Sequence, residues 1–156
     1  MKSPADLTES FRAQGLKITP QRLRIFEVLH RSDEHLTAEA VHARVRTEMP
    51  TISLRTVYQT LNDLAAMGEL NQLDLGTGSA RFDPNLDPHH HLVCDACGDV
   101  HDVPADFSEV HVPEGHDHGF EVSATEIVFR GLCRDCRAAG RQPGLHHEFP
   151  VTDKSH

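Results

Sequence analysis

The most specific chemistry in this 156-residue chain lies in its four cysteines, which form two C-x-x-C pairs: Cys94 with Cys97, and Cys133 with Cys136. Two thiolates spaced this way converge on one ion across a tight turn. Four of them close a tetrahedral Zn2+ shell that leaves no open position, the mark of a structural site. Gly98, directly after the first pair, suits the backbone of such a turn. A redox dithiol needs only one pair, and buried unligated cysteines need no repeated spacing, so neither accounts for the doubling. The stretch between the pairs is longer than in compact zinc ribbons, which predicts two knuckles at opposite ends of a small sheet.

A second cluster offers nitrogen and oxygen. His89, His90 and His91 run together just ahead of the first knuckle. On a strand, His89 and His91 would face one side and His90 the other. Asp102 on a following strand and Asp83 upstream can add carboxylates, and His35 can join from the first half of the chain. A shell of this kind has no sulfur and suits Fe2+ or Mn2+, though it could also hold Zn2+. A ligand from His35 would couple metal occupancy to the angle between two domains. The plain alternative is a set of solvated surface side chains, and a lone loop histidine such as His35 means little by itself. His101, His111, His116 and His118 add candidates whose spacing picks out no unique shell.

The elements that must position these groups follow from caps and periodicity. Residues 6–14 read as a short helix. Thr19 followed by Pro20 starts a second, with Leu23, Phe26 and Leu29 repeating on one face and Ile25 widening it. Thr37 caps a third, with Ala38, Val41 and Val45 on one side. Ser53 caps a fourth over residues 54–67, burying Val57, Leu61 and Leu64 before Gly68. Residues 70–75 and 80–82 then form a hairpin. Helices followed by a hairpin is the order of a winged helix-turn-helix.

The fourth helix turns Arg55, Thr56, Tyr58 and Gln59 away from its apolar stripe, and such residues near a helix N-terminus reach base edges and phosphates in a major groove. Arg22, Arg24, Arg44 and Arg46 are candidate phosphate contacts. An ordinary amphipathic helix with a solvated face would show the same stripe.

The division is therefore a DNA-binding domain over 1–83, a linker over 84–88, a metal-binding domain over 89–140 and a disordered tail over 141–156. In the second domain, strands are expected at 89–94, 100–103 and 121–129, with a short helix near 106–110. Charge supports two modules. Residues 1–81 carry ten Lys/Arg against ten Asp/Glu, while residues 82–156 carry five against fourteen, so the whole formal charge of −9 sits in the second half. A balanced first half can still present its cations on one face to phosphates. No secretion signal and no long apolar run are evident, so the expectation is a cytoplasmic protein with no membrane partner.

LKITPQR (residues 16–22), SLRTVYQTL (53–61), ARFD (80–83), HHHLVCDACG (89–98) and GLCRDC (131–136), in this order, resemble the ferric uptake regulator (Fur) superfamily over about residues 7–137. The resemblance implies an α+β chain: an N-terminal winged helix, a small α/β dimerisation domain, and a homodimeric repressor on a palindromic operator. It implies structural zinc on Cys94, Cys97, Cys133 and Cys136, and a regulatory Fe2+ or Mn2+ on His35, Asp83, His89, His91 and Asp102. Tyr58 falls on the recognition-helix tyrosine. Aspartate at both 83 and 102 is similar to the PerR-type peroxide sensors, in which bound Fe2+ reacts with hydrogen peroxide and a ligand histidine is oxidised, here implied at His35 or His89. An additional metal site of some members falls on Pro88, His90, Glu109 and Thr125, of which only His90 and Glu109 ligate well.

Iron- or zinc-uptake regulation is the alternative within the family. Outside it, two histidines and a carboxylate also serve non-haem oxygenases. No Gly-rich cofactor loop, nucleophile elbow or H-E-x-x-H accompanies them, so neither catalysis nor a small organic substrate is expected.

Overall fold

Ser3 begins the first helix of the computed structural model, which describes residues 1–144. The Asp6 N–H donates to Ser3 Oγ (3.2 Å) and the Ser3 N–H returns to Asp6 Oδ2 (3.3 Å), a capping box that fixes α1 at Pro4–Ala13. The same device recurs through the first unit, which runs from Met1 to Pro88. Thr19 caps α2 (Pro20–His30), Thr37 caps α3 (Ala38–Arg46) and Ser53 caps α4 (Leu54–Ala66). Each hydroxyl accepts an otherwise orphaned N–H of the first turn. Gly68, at φ 73°, takes the left-handed conformation just past the end of α4.

These helices bury one continuous apolar core that includes Phe11, Phe26, Val41, Val57 and Leu61. The expected face of α2 needs one correction. Leu23 is 38% exposed, while Ile25, Phe26 and Leu29 point inward. The hairpin forms from β2 (Asn71–Leu73) and β3 (Arg81–Asp83). A two-residue strand, β1 (Leu36–Thr37), pairs antiparallel with the other edge of β3, giving the order β1-β3-β2. Phe82, central in that sheet, is 1% exposed and ties it to the helices.

The second unit begins at His89. Its sheet has β4 (His90–Cys94) in the middle, β5 (Val100–Val103) antiparallel on one side and β6 (Val128–Gly131) parallel on the other. A five-residue helix, α5 (Arg134–Ala138), follows. Two expectations fail here. The strand expected over 121–129 starts only at Val128, because β4 offers nothing to pair with before its own first residues, where the His91 N–H donates to Ile127 O. The helix expected near 106–110 is a single turn, closed by Val110 N–H to Phe107 O (2.9 Å). The tail expected to be disordered over 141–156 lies mostly outside the described residues. Within them, Gly144 N–H donates to Asp95 O and Arg141 N–H to Cys136 O.

Buried apolar side chains are few in this unit. Among the described residues they are Val93, Cys94, Val100 and Cys136. So thin a core needs a staple. No described helix is long and apolar enough to cross a membrane.

Candidate metal centres and nucleic-acid interface

The four cysteines meet at one end of the second sheet. Cys94 closes β4, and Cys97 follows on a turn in which Gly98 N–H donates to Cys94 O (2.8 Å) and Gly98 sits at φ 74°. Because β4 and β6 run parallel, with Cys94 opposite Gly131, the chain leaving β6 delivers Cys133 and Cys136 to that same end. The expectation of knuckles at opposite ends is therefore wrong, since parallel neighbours finish side by side.

All four Sγ atoms lie within 4.8 Å of one another, and Cys97 and Cys133 are 3.8 Å apart. A tetrahedron with Zn–S bonds of about 2.3 Å has edges of about 3.8 Å, so the group has the size of a zinc shell. The Cys133 N–H donates to Cys94 Sγ (3.3 Å) and holds that thiol down at about 6. Burial, with three other sulfurs close by, pushes Cys136 up to about 12. Four thiolates cannot gather here without a cation to offset their charge, which makes a dication the natural occupant.

The oxygen and nitrogen donors fall in both units. In the second, the antiparallel register sets His91 opposite Asp102. His89 Nε2 lies 3.2 Å from Asp102 Oδ1, His91 Nε2 lies 3.8 Å from the same oxygen, and the two imidazole centroids are 4.6 Å apart. Donor atoms sharing an ion at bonds of about 2.1 Å are separated by about 3.0 Å at right angles and at most about 4.2 Å, so the trio suits a metal. Glu126, missed in the sequence, adds a carboxylate 2.9 Å from His91 Nδ1.

His90 points the other way. Its ring packs edge-on to Phe107 at 4.9 Å and its Nδ1 accepts the Ile127 N–H (3.1 Å). Among the described residues, neither His90 nor Glu109 joins a group of three or more ligating side chains, and nor do His101, His111, His116 or His118.

In the first unit the pairing of β1 with β3 matches Leu36 to Phe82. One step further along that register stand His35 and Asp83, with His35 Nε2 3.3 Å from Asp83 Oδ2. Both are buried, at 5% and 1% exposure. Arg81 donates to His35 O (2.9 Å) and Asp83 Oδ1 accepts the Asn85 N–H (2.8 Å), so backbone and carboxylate are both fixed.

On α4, Arg55, Tyr58 and Gln59 are exposed. Thr56 is half-buried and spends its N–H and hydroxyl on Ser53, within the helix cap. The Tyr58 hydroxyl donates to Glu39 Oε1 at 2.7 Å, which lowers the pKa of that carboxyl and raises that of the phenol. Arg22 does not stand where the sequence put it. It donates to Lys17 O (2.7 Å) and Asp63 Oδ2 (2.9 Å) and lies over the Phe11 ring. Arg24 pairs with Glu27 and Glu48, and Arg44 with Glu34. Three of the four arginines expected at phosphates are thus engaged within the unit, while Arg46 is exposed.

Residues 13–130 match the model of the ferric uptake regulator family. The chain is 33% identical to the peroxide-responsive repressor PerR of Staphylococcus epidermidis over 132 residues, covering 84% of this chain and 88% of that one. Solved structures are similar as well, two of them regulators of the same family. One is the ferric uptake regulator of Vibrio cholerae, described as revealing a rearrangement of its DNA-binding domains, at 27% identity and a TM-score of 0.66, covering 82% of this chain and 100% of that one. The other is the ferric uptake regulator of Pseudomonas aeruginosa with manganese, at 25% identity and a TM-score of 0.61, covering 86% and 99%. All three are regulators rather than enzymes.

Proposed function

This chain belongs to the ferric uptake regulator family, and on that premise we propose that it is a peroxide-responsive, metal-dependent repressor acting in the cytoplasm as a homodimer on a palindromic operator. Cys94, Cys97, Cys133 and Cys136 hold a structural Zn2+. His35 and Asp83 from the first unit, with His89, His91 and Asp102 from the second, share one Fe2+ or Mn2+. Arg55, Tyr58 and Gln59 on α4 read the operator, with Thr56 beside them; Arg22 supports them from within.

The observation that carries this reading is the donor chemistry. The sulfurs are gathered in one group, and each unit separately holds a buried or half-buried histidine within 3.3 Å of an aspartate. The similarity to a peroxide-responsive repressor over most of both chains supports the choice of stimulus. Bound Fe2+ would supply the reducing equivalents that turn peroxide into an oxidant of a ligand histidine.

The residues of the chain do the rest. Donors divided between two units favour the arrangement in which both reach the ion, and the metal shifts the population only as far as it binds that arrangement better than any other. Loss of one imidazole would weaken the grip and lower operator affinity.

The test is operator binding with Mn2+ and with Fe2+, before and after hydrogen peroxide, with mass spectrometry of the protein. The expected result is release of the Fe2+ form only, with one added oxygen on the peptide carrying His35 or His89. An Fe2+ form that keeps its operator and stays unoxidised would leave an iron or manganese sensor, and activation by trace free Zn2+ alone would leave a zinc-uptake regulator.

A further inference from the structure

Glu126 is a carboxylate that the metal shell described above does not use. The residue after it is clamped through both of its main-chain polar groups: the His91 N–H donates to Ile127 O (3.0 Å), and the Ile127 N–H donates to the His90 side chain at Nδ1 (3.1 Å). This clamp presents Glu126 to the edge of the His91 ring, with Oε1 2.9 Å from Nδ1. An ionised carboxylate only accepts hydrogen bonds. The proton of a neutral His91 therefore belongs on Nδ1, which leaves the lone pair on Nε2.

Nε2 is the nitrogen that faces Asp102, at 3.8 Å from Oδ1. That is too long for a hydrogen bond and short enough for both atoms to sit on one ion with bonds of about 2.1 Å. The two ring nitrogens of His91 thus have separate tasks, one turned to Glu126 and the other to the donor trio.

We propose that Glu126 is a positioning residue that orients the His91 imidazole, fixes its tautomer and so sets the affinity of the regulatory metal site. This rests on the reading of His91 as a metal ligand. Removing such an outer partner commonly weakens metal binding about 10- to 100-fold. Glu126 is half exposed, at 50% of its side chain, and solvent screens it, so an effect near the lower figure is expected.

The experiment is Mn2+ titration of zinc-loaded full-length protein in four forms: unaltered, Glu126→Ala, Glu126→Gln and His91→Ala. Glu126→Ala should bind Mn2+ about 10-fold more weakly. Glu126→Gln should recover most of the loss, because its amide oxygen can still accept the Nδ1 proton. Zinc content and the melting midpoint of the Mn2+-free protein should not move.

Unchanged Mn2+ affinity in Glu126→Ala, alongside its loss in His91→Ala, overturns the role of Glu126 alone. A glutamine variant as weak as the alanine one overturns the orientation argument. A lowered melting midpoint with unaltered Mn2+ affinity reduces Glu126 to a structural contact and also overturns it. Unaltered affinity in His91→Ala overturns the metal site itself, and the role of Glu126 with it.

Discussion

Residues 1–88 and the unit that begins at His89 are held together by different physics. The first buries Phe11, Phe26 and Phe82 with a full set of aliphatic partners, and caps each of its helices with a serine or threonine. Among its described residues the second buries Val93 and Val100, and the two other buried apolar residues there are cysteines of the sulfur cluster. One unit stands by excluding water from hydrocarbon. The other buries little hydrocarbon, and on the proposed reading it is held by the bond of its cysteines to an ion.

The sharpest way to break this comparison is to take away the zinc. Cys136→Ser, or a strong chelator, should unfold the second unit while the first stays folded. Structural zinc contributes on the order of 10 kcal/mol, more than so thin a core can replace. Hydrogen exchange resolved by residue would show it, and surviving protection over residues 90–103 would refute the dependence. Phe26→Ala is the converse. It should cost about 3–5 kcal/mol in the first unit by opening a core cavity, and leave zinc content intact by metal analysis.

Two arginines sharpen the picture at smaller scale. Arg22→Ala should cost about 1–2 kcal/mol of stability, because Asp63 and Lys17 O lose a charged donor, and should leave the salt dependence of operator binding alone. Arg55→Ala should do the opposite, lowering the slope of log affinity against log salt by about 1 with stability changed by less than about 0.5 kcal/mol. Equal salt slopes in the two variants would remove the distinction. Smallest of all, Ser53→Ala should cost about 1 kcal/mol by thermal melting, through the lost cap of α4.

The parts of the fold that were legible from sequence are those set by local chemistry. Thr19-Pro20, Thr37 and Ser53 mark helix starts because a hydroxyl answers an N–H three residues on, and the hairpin follows from its turn residues. The cysteine spacing announces the four-sulfur cluster for the same reason. What escaped depends on partners distant in sequence. The strand Leu36–Thr37 is too short to show a period, yet its pairing with β3 sets His35 beside Asp83. Arg22 reads as a free cation because Asp63 lies 41 residues away. The parallel pairing of β4 with β6 is a register, and no residue type announces it. The five-residue α5 follows Cys133, whose thiol caps it in place of the usual hydroxyl or amide. Glu126 was hidden by a strand expected where none forms.

The short β4 strand carries an unusual double burden, with imidazoles at its entrance and a thiolate at its exit. Whatever fastens the exit also fixes which side every earlier side chain faces, because sliding a strand by one residue turns all of them over. Filling the sulfur nest first would lock the strand in step and leave His89 and His91 facing Asp102. An ion arriving at the entrance of a strand not yet locked would find the imidazoles on either side. On the proposed reading, the permanent metal would prepare the ground for the exchangeable one.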